Sequence, residues 1–158
     1  MITCVFEDGG KGKLRHVVAD TIVLKDDKIL MVKRSPNLLE GGKWGLIGGY
    51  AERDETIVGT VGREVMEETG WAVENITLLA IVDNPDRANE DRQNVVFVYF
   101  CDATKKVGEA DDESEEVKWF VLDKLPSKEQ IAFDHAEHIE LYKQYLEGDV
   151  KLPIMSKG

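Results

Sequence analysis

The run from Gly49 to Trp71, GYAERDETIVGTVGREVMEETGW, decides the reading of this chain. From Thr56 to Thr69 its apolar residues Ile57, Val58, Val61 and Val65 recur at helical spacing, and Gly70 is placed to end the helix as its C′ residue. On a helix turning about 100° per residue, Glu64, Glu67 and Glu68 fall within an arc of roughly 100°. Like charges so close repel, so such a face is expected either where cations neutralise it or where it points into water. Oxygen-only ligands of this kind suit Mg²⁺ or Mn²⁺ rather than zinc.

Outward from this run, His16 to Leu24 is β-branched and reads as a buried strand, Asp26-Asp27 as a turn, and Lys28 to Arg34 as the second strand of a hairpin. Trp44 to Ile47 is a short apolar strand between the pairs Gly41-Gly42 and Gly48-Gly49. Ile76 to Val82 and Asn94 to Cys101 are further strands, the second apolar enough to be central, with a polar loop, Asp83 to Gln93, between them. Val107 to Glu116 is dominated by acids and reads as a solvated loop; Val117 to Val121 is a last strand, and Ser127 onward an amphipathic helical tail to about Leu146.

With 158 residues, 42% hydrophobic and 32% charged, the chain is expected to form a single domain spanning 1–158. A net charge of -11 opposes nucleic acid and anionic membranes as partners. A phosphorylated small molecule is still accessible if divalent cations lie between the two sets of negative charge. Cys4 and Cys101 form no disulfide framework or zinc knuckle, and no signal-like apolar stretch is seen, so a cytoplasmic location is expected.

The Gly49 to Trp71 run resembles the Nudix box and matches that family's pattern at every fixed identity, with Trp71 where an aliphatic residue is more usual. Gly42-Lys43-Trp44 before it, and Trp119-Phe120 with Leu125-Pro126 after it, extend the similarity; the familiar proline before the glycine pair is Ile47 here. The resemblance implies an α/β fold of the α/β/α sandwich type, with a mixed sheet between helices, and hydrolysis of a nucleoside diphosphate linked to another moiety. By position it makes Glu64, Glu67, Glu68 and the carbonyl of Gly48 metal ligands, with Mg²⁺ or Mn²⁺ as cofactor. Arg63 and Glu55 become a pair orienting the cluster, and Gly49 and Gly70 structural positions. Glu64 is the first choice of catalytic base, and Glu113, six positions before Trp119, a further metal ligand or base.

The segment Asp83 to Arg87, with Pro85 fourteen positions past Trp71, looks like the ADP-ribose pyrophosphatase branch, as does Ala132 to Glu137. The expected reaction is therefore cleavage of ADP-ribose to AMP and ribose 5-phosphate. Rivals are a MutT-type nucleoside triphosphate pyrophosphohydrolase, a dinucleoside polyphosphate or nucleotide-sugar hydrolase, and a nucleotide-sensing module without catalysis. Arg34, Arg87 and Arg92 are candidate phosphate or ribose contacts. Tyr50 is a candidate base-stacking residue and Trp44 a core one. His135 and His138, with no third ligand nearby in sequence, read as structural. Many relatives are homodimers, so a homodimer is an expected assembly.

Overall fold

The computed structural model describes residues 1–87 and 92–156. Residues 88–91 of the expected Asp83 to Gln93 loop lie outside the described residues. The elements, in chain order, are β1 (Ile2–Val5), β2 (Lys11–Leu14), β3 (Val17–Lys25), β4 (Lys28–Arg34), β5 (Trp44–Gly45), β6 (Ile47–Tyr50), α1 (Ile57–Thr69), β7 (Trp71–Val82), β8 (Val95–Lys106), β9 (Ser114–Val121), α2 (His135–Glu147) and β10 (Ile154–Ser156).

The β-branched run of β3 is buried on both faces because it lies inside an eight-stranded mixed sheet. It runs parallel to β8 on one side, pairing Val17 with Val95 through Leu24 with Asp102. On the other side it changes partner: Val23 to Lys25 pair antiparallel with β4, and Val18 to Thr21 with β6. This change of partner brings Gly48 and Gly49 of β6 beside Asp20 and Ala19.

Alternation along the strands divides the core in two. Val18 and Ile22 of β3 join Ile29 and Met31 of β4 and pack with Ile139 and Tyr142 of α2. Ala19 and Val23 join Leu30 and Val32 and pack with Val61 and Val65 of α1. The sheet therefore lies between the two helices, as expected for the α/β/α sandwich. Among the described residues no helix is long and apolar enough to cross a membrane.

Helix α1 begins where the Thr56 side chain accepts a hydrogen bond from the Gly59 N–H, 3.1 Å away. It ends at Gly70, whose φ of 72° is left-handed, with its N–H donating to the Met66 carbonyl. A Cβ on Gly70 would stand 2.1 Å from the Gly108 carbonyl oxygen. Gly70→Ala thus meets both a φ penalty and a backbone clash, and is expected to cost at least about 1–3 kcal/mol, measured as a lower denaturant midpoint at unchanged m-value.

Several elements exceed or differ from the sequence expectation. Ahead of the first expected strand, Ile2–Val5 and Lys11–Leu14 form the β1–β2 hairpin, a separate two-stranded sheet. The Trp44 to Ile47 strand is two, β5 pairing with β4 and β6 with β3. Strands β7 and β8 extend to Trp71 and Lys106 through polar, partly exposed ends joined by irregular register. Ser114 to Glu116 of the acidic run belong to β9 rather than to a loop. The tail from Ser127 is not one helix: a 3-10 turn at Lys128–Gln130 and an extended stretch precede α2, and Phe133 has a φ of 53°.

Candidate active site

Glu64, Glu67 and Glu68 of α1 face a cavity of about 310 Å³ whose floor is formed by Asp20 of β3 with Gly48 and Gly49 of β6. Arg63 is the hub of the acidic face. Its Nε and Nη2 donate to the two carboxylate oxygens of Glu55, at 2.9 and 3.1 Å. Nη2 also reaches the Tyr50 carbonyl, and Nη1 donates to Glu64 at 2.7 Å and Glu67 at 3.0 Å. The Arg63 hydrogen bonds to Glu55 hold that carboxyl down at about 2, helped by the Thr60 hydroxyl, so Glu55 is a fixed anion at neutral pH.

The other acids are pushed the opposite way. Burial raises Glu68 well above the usual carboxylate range, with the Glu64 charge adding to it, and burial raises Glu64 as well. Glu68 accepts one hydrogen bond, from the Gly48 N–H at 3.4 Å. In a site without a cation the helix face therefore resists full ionisation, which is the tension a bound divalent ion relieves.

Among the described residues no group of three His, Cys, Asp or Glu side chains is already arranged to hold a metal, and Arg63 occupies oxygens of Glu64 and Glu67. The donor chemistry nevertheless fits a hard cation: the acids around the cavity offer only oxygen, and Asp111 and Glu113 line it too. Both come from the segment before β9, which is tied to α1 by the Asp111 N–H donating to the Glu67 carbonyl and to β4 by the Ser35 N–H donating to the Glu113 carbonyl. Glu116 instead pairs in register with Lys33 on β9, away from the cavity.

Gly49 is a close-approach position. A Cβ there would lie 2.2 Å from Glu64 Oε1, a movable carboxylate rather than backbone. Gly49→Ala is expected to leave the melting temperature almost unchanged while displacing Glu64, lowering kcat by about 10²-fold. Loss of fold without selective loss of kcat would refute that reading.

Cations stand across from these carboxylates. Arg34, at the end of β4, lines the cavity, donates from Nε to the Leu39 carbonyl and lies 5.0 Å from the centre of the Phe133 ring. Arg92 lines it as well and is bonded to the Tyr50 hydroxyl. Tyr50 is 40% exposed, with its ring 4.7 Å from that of His16. Arg87 is on the wall, paired with Asp134 and lying 4.8 Å from the Phe133 ring. Pro85 is exposed and lies outside the walls of this cavity. Trp44 is packed edge-on against Phe120.

Asp20, Asp111, Asn94 and Phe133 are cavity residues that the motif does not contain. Phe133 falls within the Ala132 to Glu137 stretch already singled out, and Asp20 carried a signal as an acid inside an apolar strand. It is 4% exposed, and although burial opposes its charge, His135 and His138 hold its carboxyl well below the usual range. His135 Nδ1 accepts the Leu46 N–H at 2.9 Å, so the ring proton is on Nε2, which faces Asp20 Oδ2 at 3.4 Å. His135 and His138 are both buried.

A NUDIX domain family model matches residues 14–142. The chain is 36% identical over 133 residues to the ADP-ribose pyrophosphatase of Methanocaldococcus jannaschii, covering 84% of this chain and 75% of that one. Among solved structures it is similar to a MutT NUDIX hydrolase from Burkholderia pseudomallei, 32% identical with a TM-score of 0.70, covering 82% and 98% of the two chains. It is also similar to the NUDIX domain of Shewanella oneidensis NrtR complexed with ADP ribose, 28% identical with a TM-score of 0.69, covering 85% and 90%. The chain belongs to the NUDIX family and is a hydrolase acting on pyrophosphate bonds.

Proposed function

We propose that the α1 cavity hydrolyses ADP-ribose to AMP and ribose 5-phosphate with Mg²⁺ or Mn²⁺ as cofactor. The observation that carries the substrate is the 36% identity to an ADP-ribose pyrophosphatase over most of both chains. The NUDIX neighbour complexed with ADP ribose supports the same ligand.

Glu67, Glu68, Glu64 and Glu113, with the Gly48 carbonyl, are the residues that would hold the cation. When bound, a divalent cation offsets the carboxylate charge, screens the diphosphate and stabilises the charge that develops as the phosphorus–oxygen bond breaks. The protein's own groups do the rest. Arg34 and Arg92 bind and orient phosphate oxygens from the wall facing α1. Burial raises the affinity of Glu64 for a proton, which suits it to take one from the attacking water, while Arg63 fixes its other oxygen. The water adds across the anhydride: its oxygen joins one phosphorus, and the bridging oxygen leaves with the other phosphate.

A second reading, hydrolysis of a nucleoside triphosphate, is favoured by the MutT NUDIX neighbour, which is 32% identical. The two are separated by kcat/KM for ADP-ribose, nucleotide sugars, dinucleoside polyphosphates and nucleoside triphosphates, with release of AMP or pyrophosphate measured in Mg²⁺ and in Mn²⁺. ADP-ribose is expected to lead the ranking. A triphosphate in first place would overturn the substrate assignment while leaving the roles of the α1 carboxylates intact.

A further inference from the structure

A second cavity of about 710 Å³ shares Arg87 and Phe133 with the first as walls, so one partition separates the two. Its other side is α2, through His138, Leu141 and Gln144. The chain reaches α2 through the left-handed conformation of Phe133, which an aromatic residue adopts at a cost.

His138 lines this second cavity and is 1% exposed, and among the described residues its Nε2 makes no hydrogen bond. Its Nδ1 faces Asp20 Oδ2 at 3.3 Å, the contact through which it helps hold that carboxyl down, and its Nε2 lies 3.8 Å from Asp134 Oδ1. A buried imidazole nitrogen that lines a cavity without a hydrogen bond is a ready partner for a ligand hydroxyl. Asp134 lines the same cavity and carries the Arg87 ion pair.

The chemistry of the walls selects among the parts of a nucleoside diphosphate derivative. Among the described residues six acids against three cations line it, and Lys43, Arg87 and Lys128 are already paired with Glu40, Asp134 and Glu137, so the excess of negative charge opposes a further phosphate, whereas a hydroxyl donates to a carboxylate and also accepts. An aromatic base finds no open ring there, because Arg34 and Arg87 both lie against Phe133. The exposed ring of Tyr50 belongs to the first cavity instead.

We propose that this second cavity is the subsite for the hydroxylated, sugar-like moiety beyond the diphosphate, with Asp134 and His138 as its hydrogen-bond partners and the base held on the Tyr50 side. This rests on the pyrophosphohydrolase reading and gives it a direction: base at Tyr50, diphosphate over α1, terminal sugar past the Arg87–Phe133 partition. It also makes the cavity a device against triphosphates, whose last phosphate would face carboxylates.

The test maps the two products on the wild-type protein by amide NMR and pairs this with a cavity-filling variant. Ribose 5-phosphate is expected to shift the Gln144 and Ser156 signals, and AMP the Tyr50 signal. Gln144→Trp is expected to raise KM for ADP-ribose and Kd for ribose 5-phosphate by about tenfold, with kcat and AMP affinity changing far less. A folded Gln144→Trp with unchanged KM, or AMP shifting Gln144 in place of Tyr50, would overturn the inference. If that variant does not fold, the product map on the wild type decides. Wild-type protein inactive on ADP-ribose would overturn the substrate assignment instead, and the product map would still report on the cavity.

Discussion

Glu68→Gln is expected to lower kcat by about 10²–10³-fold and, in the absence of divalent cation, to raise the melting temperature. Glu68 is 9% exposed, and burial lifts its pKa well above the ordinary carboxylate value. The folded state therefore binds its proton more tightly than the unfolded chain does. By linkage, the cation-free protein is most stable, as far as this group is concerned, below the unfolded carboxylate pKa. It loses stability as pH rises from there through the raised folded value. Glutamine keeps the shape and an acceptor for the Gly48 N–H but carries no charge, so it removes that slope. The gain at neutral pH is expected to be about 2–4 °C for each kcal/mol recovered in a chain of this size. The same change removes a proposed cation ligand, so kcat should fall by about 10²–10³-fold, and added Mg²⁺ should stabilise wild type but not the variant. Glu67, with its side chain half exposed, provides the contrast: Glu67→Gln should lose turnover without the thermal gain. Melting curves against pH, with and without Mg²⁺, decide this, and a Glu68→Gln protein that is both active and no more stable would end the assignment.

What the sequence made legible was local. Thr56 caps α1 and Gly70 ends it because capping and left-handed termination are settled within a few residues. The three glutamates share a face for the same reason. The opposing wall was only partly visible. Arg34, Tyr50, Arg87 and Arg92 were picked out by residue type, and all four reach the cavity. Asp111 arrives there through strand pairing, for which it has no local signature, and Phe133, although within the Ala132 to Glu137 stretch, is placed there by a left-handed turn that its residue type does not announce. Pro85 shows the limit of reading a segment by likeness, since in the same stretch Arg87 turns inward and Pro85 outward. The β1–β2 hairpin was illegible because its exposed strands lack a sustained apolar face. The expected helical tail failed at its start because Ile131 and Ala132 are buried as extended chain, with the Ala132 N–H donating to the Trp44 carbonyl; tertiary pairing overrode helical periodicity.

Arg63→Lys is expected to inactivate the enzyme almost as completely as loss of a carboxylate, although charge is conserved. Arg63 uses its planar fork to meet Glu55 with two donors while Nη1 divides itself between Glu64 and Glu67 and Nη2 also holds the Tyr50 carbonyl. A lysine is a point charge on a flexible stem and cannot span Glu55 and Glu64 together in that geometry. Released from the fork, Glu64 and Glu67 repel each other and lose their common orientation, and a displacement of about 1 Å at reacting groups costs about 10²-fold in rate. The expected signature is a fall in kcat with KM for ADP-ribose little changed, and a higher Mg²⁺ concentration for half-maximal activity. Glu55 supplies an independent readout. Its carboxyl is held at about 2 chiefly by Arg63, so the stability it contributes is present above the ordinary carboxylate pKa and is lost as pH falls toward 2. In Arg63→Lys the folded pKa of Glu55 should move back up, and the acid limb of the unfolding curve should move to higher pH with it. Wild-type kcat in a folded Arg63→Lys protein would show that the fork is dispensable and that the carboxylates are positioned by α1 alone.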